Sequence, residues 1–380
     1  MGGGILNATI KQPILKAPFP YPGGKSKVAS MVWDRFGDVD NFIEPFCGTM
    51  AVLLKRPAEH FRSGYRTETV NDANHYLVNF WRAVKHDPEV VAYHADWPVM
   101  EADLHARHRW LVRSEEVKEW RNLLTQDPEH YNAKIAGYWV WGQCSWIGGG
   151  WCNDIRNDYE QMPQLDVNHG VNLGGRPQLA DAFDIGRGVN AGGSEHLKRP
   201  CFPDSQSPIR GVCGVRRQWL IDWMRRLSDR LRLVRTCYGH WSRICDSDST
   251  PTRLGTCGVF LDPPYPTERG DNSKKSRDGS LYINDKTQCL NALRDEVLAW
   301  CRKWSGPQIR IAVCGYEGDG YEALEQEGWA VESWETNGGY SNQRKKKGQG
   351  KGENAKRERI WFNPASVKPS GSLLDLIAED

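Results

Sequence analysis

The sequence predicts an α/β fold: a mainly parallel, doubly wound sheet that carries a helical and loop-rich insertion. Three observations predict it. Toward the C-terminus, short apolar runs alternate with helical patterns: GVFLD, a helix around 289–304, IRIAVCG, a helix near 321–327, then WAVESWE and RERIWF. Near the N-terminus, residues 41–56 run strand, tight turn, helix, the order of a nucleotide-binding unit. Between these halves, residues 148–214 shift to Gly, Asn, Asp and Pro, with the pieces GGRPQLAD and GRGVNAGG and no repeat.

In chain order, SKVASMVWDRF (26–36) reads as a helix after a Tyr-Pro-Gly-Gly turn, and NFIEPF as a strand ending near Pro45. Gly48 breaks that strand, TMAVLLKRP starts a helix, and TETVND is the second strand. Residues 74–126 are helical, with Trp81, Val84 and Trp120 among the apolar positions. The aromatic stretch 131–146 follows; Trp139, Trp141, Trp146 and Trp151 are explained by core packing. After the irregular segment, VRRQWLIDWMRRLSDRLRLV repeats Trp219, Trp223, Leu227 and Leu231 every four residues, an amphipathic helix, and LRLVRTCYGHW leads into the next strand. The expected division is one α/β domain from 16–85 and 215–364, an insertion at 86–214, and loosely ordered ends at 1–15 and 365–380.

A chain of 380 residues that is 39% hydrophobic and 26% charged is long enough for a sizeable core and has the profile of a folded, non-fibrous protein. It has no apolar run of the roughly 18 to 20 residues that span a bilayer, and MGGGILNATIKQPILK lacks a signal-like apolar core; cytoplasm is the expected location, with no membrane partner. The 11 cysteines contain no CxxC pair, and Cys47, Cys257 and Cys314 sit in apolar runs, so reduced, buried thiols are expected and no metal. The net charge of +2 hides local bias: residues 341–360 hold eight Lys or Arg against two Glu, and 210–235 hold eight Arg against two Asp. Such stretches suit a polyanion such as nucleic acid, or are solvated surface.

Asp262-Pro263-Pro264-Tyr265 is the sharpest chemical signal, because it follows the apolar run GVFL and so lies at the carboxyl end of a strand, where α/β sites form. An aromatic amine is a poor nucleophile, its lone pair being delocalised into the ring. The Asp262 carboxylate and the Pro263 carbonyl can each accept an amine hydrogen, which favours a pyramidal nitrogen with its lone pair aimed at a methyl donor. Both prolines fix φ and lack N–H donors, and Tyr265 offers a face for stacking a base. Taken alone, the string is also compatible with a plain turn.

Other segments fit the same chemistry. Phe42-Ile43-Glu44-Pro45-Phe46-Cys47-Gly48 puts a Gly turn after a strand, where backbone can approach a cofactor closely. Asn71-Asp72 ends the next strand, the position from which a carboxylate bonds ribose hydroxyls; a helix cap is the competing role for Asp72. Tyr21-Pro22-Gly23-Gly24-Lys25 combines an aromatic face, a turn and a cation, suited to an adenosyl group and a carboxylate, or is a plain loop.

With these motifs in this order, the chain resembles the Dam-type, alpha-class adenine-specific DNA methyltransferases over most of residues 18–364. The resemblance implies a Rossmann-like S-adenosylmethionine-dependent catalytic domain, with 86–214 as target-recognition region. It implies that Tyr21, Lys25, Glu44, Pro45, Phe46, Gly48, Asp72 and Asp262 contact S-adenosylmethionine and that Asp262, Pro263, Pro264 and Tyr265 hold the target adenine. It also implies methylation of the exocyclic six-amino group in double-stranded DNA by base flipping, in a bacterial or phage setting, with or without a restriction partner. A monomer is expected, as are phosphate contacts from Arg344, Lys345, Lys346 and Lys347 after the Gly-rich 337–342.

Two departures stand out. Gly239-His240-Trp241 replaces the family's Gly-Asp-Phe or Gly-Asp-Trp, which puts the bond to the cofactor's adenine in doubt; His240 is read as structural rather than catalytic. Met50 stands where many relatives have a second Gly, and is expected to narrow the turn. The rival functions are methylation of the cytosine amine or of RNA adenine, and a DNA-binding protein that keeps the fold without turnover.

Overall fold

The apolar runs form one seven-stranded sheet: β1 (Asn41–Glu44), β2 (Thr67–Asp72), β3 (Arg235–Tyr238), β4 (Cys257–Leu261), β5 (Ile309–Tyr316), β6 (Ala330–Ser333) and β7 (Glu358–Phe362), in the order β3-β2-β1-β4-β5-β7-β6. The computed structural model of the protein describes residues 15–19, 21, 23–61, 66–97, 100–127, 129–146, 151–152, 213–246, 254–265, 287–334 and 358–366. The expected Gly-rich middle of the insertion and the basic run Arg344 to Lys347 lie outside these residues.

β1 pairs in parallel with β2 and β4, β2 with β3, and β4 with β5. The expectation of a mainly parallel sheet holds for these five strands. At the far edge, β7 runs antiparallel between β5 and β6, and makes the sheet mixed.

Ten helices surround it: α1 (Ala29–Phe36), α2 (Ala51–Leu54), α3 (His75–His86), α4 (Pro88–Ala95), α5 (Glu101–Arg113), α6 (Glu115–Gln126), α7 (Ala133–Ser145), α8 (Cys213–Leu231), α9 (Thr287–Trp304) and α10 (Ala323–Gln326), counted among the described residues. Their starts follow from local chemistry. Asn74, Ser114 and Asn132 cap α3, α6 and α7 through side-chain oxygens that accept from main-chain N–H groups of the first turn. Pro88 opens α4, and Gly37, at φ 55°, ends α1. Helix α1 begins three residues later than the sequence pattern predicts, after a turn at 26–28.

The central strands β1, β4 and β5 bury both faces, which suits the continuous apolar runs of β4 and β5, whereas the edge strands β3 and β6 are partly exposed. Phe42, Val70, Phe260, Ala312, Ile360 and Phe362 join the layer of α1, α3, α7 and α8. Ile43, Val259, Leu261, Ile311, Val313 and Trp361 face α9 and α10. Helices α4 to α7 pack into the first of these layers through Val91, Leu104, Leu111, Trp120 and Trp139, so the described part of the insertion shares a core with the sheet. Trp139, Trp141, Trp146 and Trp151 are buried there, in line with the packing role expected of them. Cys47, Cys144, Cys152, Cys237, Cys245, Cys257, Cys301 and Cys314 form no disulfide, and all but Cys237 are buried. Among the described residues, no helix is long and apolar enough to cross a membrane.

The layer that contains α1 meets the centre of the sheet closely. A β-carbon on Gly258 in β4 would lie 2.8 Å from the Phe36 ring and 3.3 Å from Val39 Cγ2. Gly258→Ala is therefore expected to cost roughly 1 to 3 kcal/mol through overpacking. Urea denaturation measures this; an unchanged midpoint would show that α1 can move away from β4 freely.

Candidate active site

The strand order reverses between β1 and β4: from β1 the chain steps outward to β2 and β3, then returns to β4 and continues to β5 on the other side. At such a switch point the loops leaving neighbouring strands diverge and leave a crevice at their carboxyl ends. A cavity of about 300 Å³ opens here, walled by the loops after β1, β2, β3 and β4, by the Tyr21–Lys25 segment, and by Leu290 and Leu293 of α9.

The loop after β1 is pinned from several sides. Cys47 N–H donates to Asn71 O at 2.9 Å, Gly48 N–H donates to Asp72 Oδ2 at 3.1 Å, and Trp81 Nε1–H donates to Gly48 O at 3.0 Å. Gly48 holds φ +44°, and a β-carbon there would sit 3.4 Å from the Tyr21 ring, so a glycine suits both the turn and the packing. Met50 also takes a left-handed φ, 51°, but its side chain is fully buried in the core and does not line the cavity. Met50 thus packs into the core.

Asn71 was not among the predicted site residues, yet its Nδ2 donates to Pro45 O at 3.1 Å and to Gly239 O at 3.0 Å, which ties together the loops after β1 and β3. Those loops are remote in sequence, so only the strand order could have revealed the role. Asp72 Oδ1 accepts from Asn74 N–H at 2.9 Å, while Asn74 itself caps α3. The capping role considered for Asp72 therefore belongs to Asn74, and Asp72 is left bracing Gly48 at the cavity wall.

Burial pushes the Asp72 carboxyl up to about 6, against the N–H groups of Asn74 and Gly48, which favour its charged form. Burial likewise pushes Glu44 well above the usual carboxylate range, with the Asp262 charge adding to the effect. Glu44 Oε2 accepts from Leu53 N–H at 3.2 Å, so this side chain braces α2 while it lines the cavity.

On the opposite side, Asp262 leaves the tip of β4. Lys25 Nζ lies 2.9 Å from its Oδ1, and the Tyr265 hydroxyl donates to the same oxygen at 2.8 Å. Lys25 is 5% exposed, and also donates to Gly23 O at 2.9 Å. Burial acts to lower the Lys25 pKa, but the charges of Asp262 and Glu358 outweigh it and hold the ammonium above its ordinary value. The Tyr265 phenol is pushed well up, by burial and then by the Asp262 charge. Its ring packs on Tyr316, centroids 4.6 Å apart, with Lys25 Nζ 5.2 Å from the ring centre.

The structure thus brings Tyr21, Lys25, Glu44, Pro45, Phe46, Gly48, Asp72, Asp262 and Pro264 to one cavity. Pro263 is buried, and Tyr265 packs beside the cavity rather than lining it. His240 stands at the rim, with Nδ1 2.9 Å from Ser242 Oγ and Nε2 3.5 Å from Glu296 Oε2. The neighbouring Trp241 packs against Phe46, ring centroids 5.7 Å apart, and with Leu290 and Leu293 supplies an apolar wall. Among the described residues no three His, Cys, Asp or Glu side chains come together as metal ligands.

Residues 21–115 match the family model of the D12 class N6 adenine-specific DNA methyltransferase, in agreement with the Dam-type resemblance. The matched span carries the cavity walls from Tyr21 to Asn74 and ends well before Asp262. Comparison with curated proteins gives no match.

The Asp72 environment makes a stability prediction. A carboxyl whose folded pKa is raised from 3.8 to about 6 favours folding most at low pH, and that contribution is lost as pH rises through about 6. Asp72→Asn should remove this component, flattening the urea midpoint between pH 4 and 6 relative to wild type. Parallel curves for the two proteins would contradict the assignment.

Proposed function

We propose that this protein is a site-specific DNA methyltransferase that transfers a methyl group from S-adenosylmethionine to the exocyclic six-amino group of adenine, with the base flipped out of the duplex. The observation that carries the proposal is the position of Asp262. It stands at the carboxyl end of β4, facing the same cavity as the glycine loop after β1 and the carboxylate after β2. The match of residues 21–115 to an adenine N6 methyltransferase family supports it independently.

The cavity's chemistry fits the donor. Phe46, Trp241, Leu290 and Leu293 would take the adenine ring, and Asp72 would accept from ribose hydroxyls. Gly48 lets the Tyr21 ring lie against the loop, so that ring and loop backbone together would wall the donor. His240 replaces the family's Asp at the rim, so the donor's adenine would be held there mainly by apolar contact.

The donor supplies an electrophilic methyl on a sulfonium. Asp262 and the Pro263 carbonyl would accept the two amine hydrogens of the target base, making the nitrogen lone pair available. That pair forms the new N–C bond while the C–S pair leaves with sulfur, and the nitrogen's surplus proton passes to Asp262 and on to solvent. Orientation and exclusion of water supply the rate. Unstacking a base costs a few kcal/mol, which stacking on Tyr265 would help to offset. Since Tyr265 rests against Asp262 and Tyr316, stacking requires its ring to turn toward the cavity.

In this reading the region 86–214 reads DNA, and Arg344 to Lys347 contact phosphates. A monomer suffices, because donor cavity and catalytic loop belong to one chain.

The test is transfer of labelled methyl to duplex DNA, followed by mass spectrometry of nucleosides. N6-methyladenine is expected; methylcytosine, label in RNA alone, or DNA binding without transfer would each sink the proposal. Asp262→Ala is expected to abolish transfer while donor binding partly survives; near wild-type turnover would remove its catalytic role. Tyr265→Ala should weaken DNA capture more than donor binding, which separate titrations with each ligand measure.

A further inference from the structure

The Tyr21–Lys25 segment and the tip of β4 meet at one carboxylate oxygen. Asp262 Oδ1 receives both Lys25 Nζ and the Tyr265 hydroxyl, whereas Asp262 Oδ2 has no hydrogen-bond partner among the described residues. Lys25 is a buried cation whose reach is limited by its second bond, to Gly23 O. Glu358, the first residue of β7, is in register with Tyr316, whose ring packs on Tyr265. Glu358 is within electrostatic range of both Lys25 and Asp262.

We infer that Lys25 is a positioning residue for the catalytic carboxylate: by occupying Oδ1 it fixes the rotation of Asp262, so that Oδ2 alone is presented to the substrate amine, and Glu358 supports Lys25 by its charge. The inference rests on the proposed methyl transfer. It differs from the role that the Dam-type resemblance implies for Lys25, which is contact with the donor.

A carboxylate with both oxygens unconstrained can rotate about its Cβ–Cγ bond and loses orientation at the reacting nitrogen, and small misplacements at such a site are costly in rate. An ammonium with three donors on a tether held by Gly23 O suits such a clamp. Glu358 adds a second negative charge that favours the Lys25 ammonium while Lys25 stays on Oδ1.

The test uses the full chain as wild type, Lys25→Met and Glu358→Gln. Three quantities are read for each: donor affinity by calorimetry with S-adenosylmethionine, duplex affinity, and the single-turnover rate with both saturating; thermal melting checks folding. For Lys25→Met the expected result is affinities within about threefold of wild type and a rate lower by on the order of 100-fold, the scale for loss of one preorganising contact. Glu358→Gln should lower the rate by about 3- to 10-fold with both affinities kept, since it acts at one remove.

The inference is overturned if Lys25→Met keeps a near wild-type single-turnover rate, or if its loss lies wholly in donor affinity and disappears at saturation. If Lys25→Met does not fold, Glu358→Gln decides by the same split between rate and affinity. A wild-type protein that transfers no methyl overturns the proposed function, and this inference with it; an active wild type with an unimpaired Lys25→Met overturns only the inference.

Discussion

The site depends on one constraint, the reversal of strand order between β1 and β4. Parallel pairing of β1 with both β2 and β4 points the carboxyl ends of all three strands the same way, and the reversal keeps their loops from covering one another. The glycine loop, Asp72 and Asp262 come from positions far apart in the chain and face one cavity only because of that order. Asn71, bonded to the loops after β1 and β3, and Lys25, paired with Asp262, then tie the crevice's walls together.

Electrostatics divides the cavity into two ends. At one, Asp72 and Glu44 are held by main-chain N–H groups and are raised in pKa by burial, so they sit braced against the backbone. At the other, Asp262 faces a buried ammonium that neutralises it locally and leaves Oδ2 without a hydrogen bond among the described residues. Removing one partner of a buried pair costs on the order of 3 to 5 kcal/mol, whereas keeping both adds little net stability. A buried lysine at this point is therefore explained better by orientation than by stability.

Much of the fold was legible in the sequence. The runs CGVFL and IRIAVCG became strands because they are apolar on both faces, TETVND is a strand whose buried positions are largely polar, and Asp262 fell at a strand end because the run before it ends there. The apolar runs around Cys47, Cys257 and Cys314 also foretold that these thiols are buried. The antiparallel return of β7 was less legible: ERIWF looks like any buried strand, and its direction is fixed by pairing with β5 and β6 rather than by its own residues. The clamp roles of Asn71 and Lys25 were not legible, because each depends on partners brought near by the sheet. The placement of Met50 was not legible either: its backbone takes the left-handed turn that a glycine would favour, while its side chain finds room in the core.

The account stands or falls on what Asp262 holds. The most direct measurement is a structure of the protein bound to a target duplex and a non-reactive donor analogue. The account predicts an adenine outside the helical stack, its amine within hydrogen-bond distance of Asp262 Oδ2 and the Pro263 carbonyl, and its face toward Tyr265. An adenine that stays stacked in the duplex, or one that enters the cavity with its amine turned away from Asp262, would contradict it.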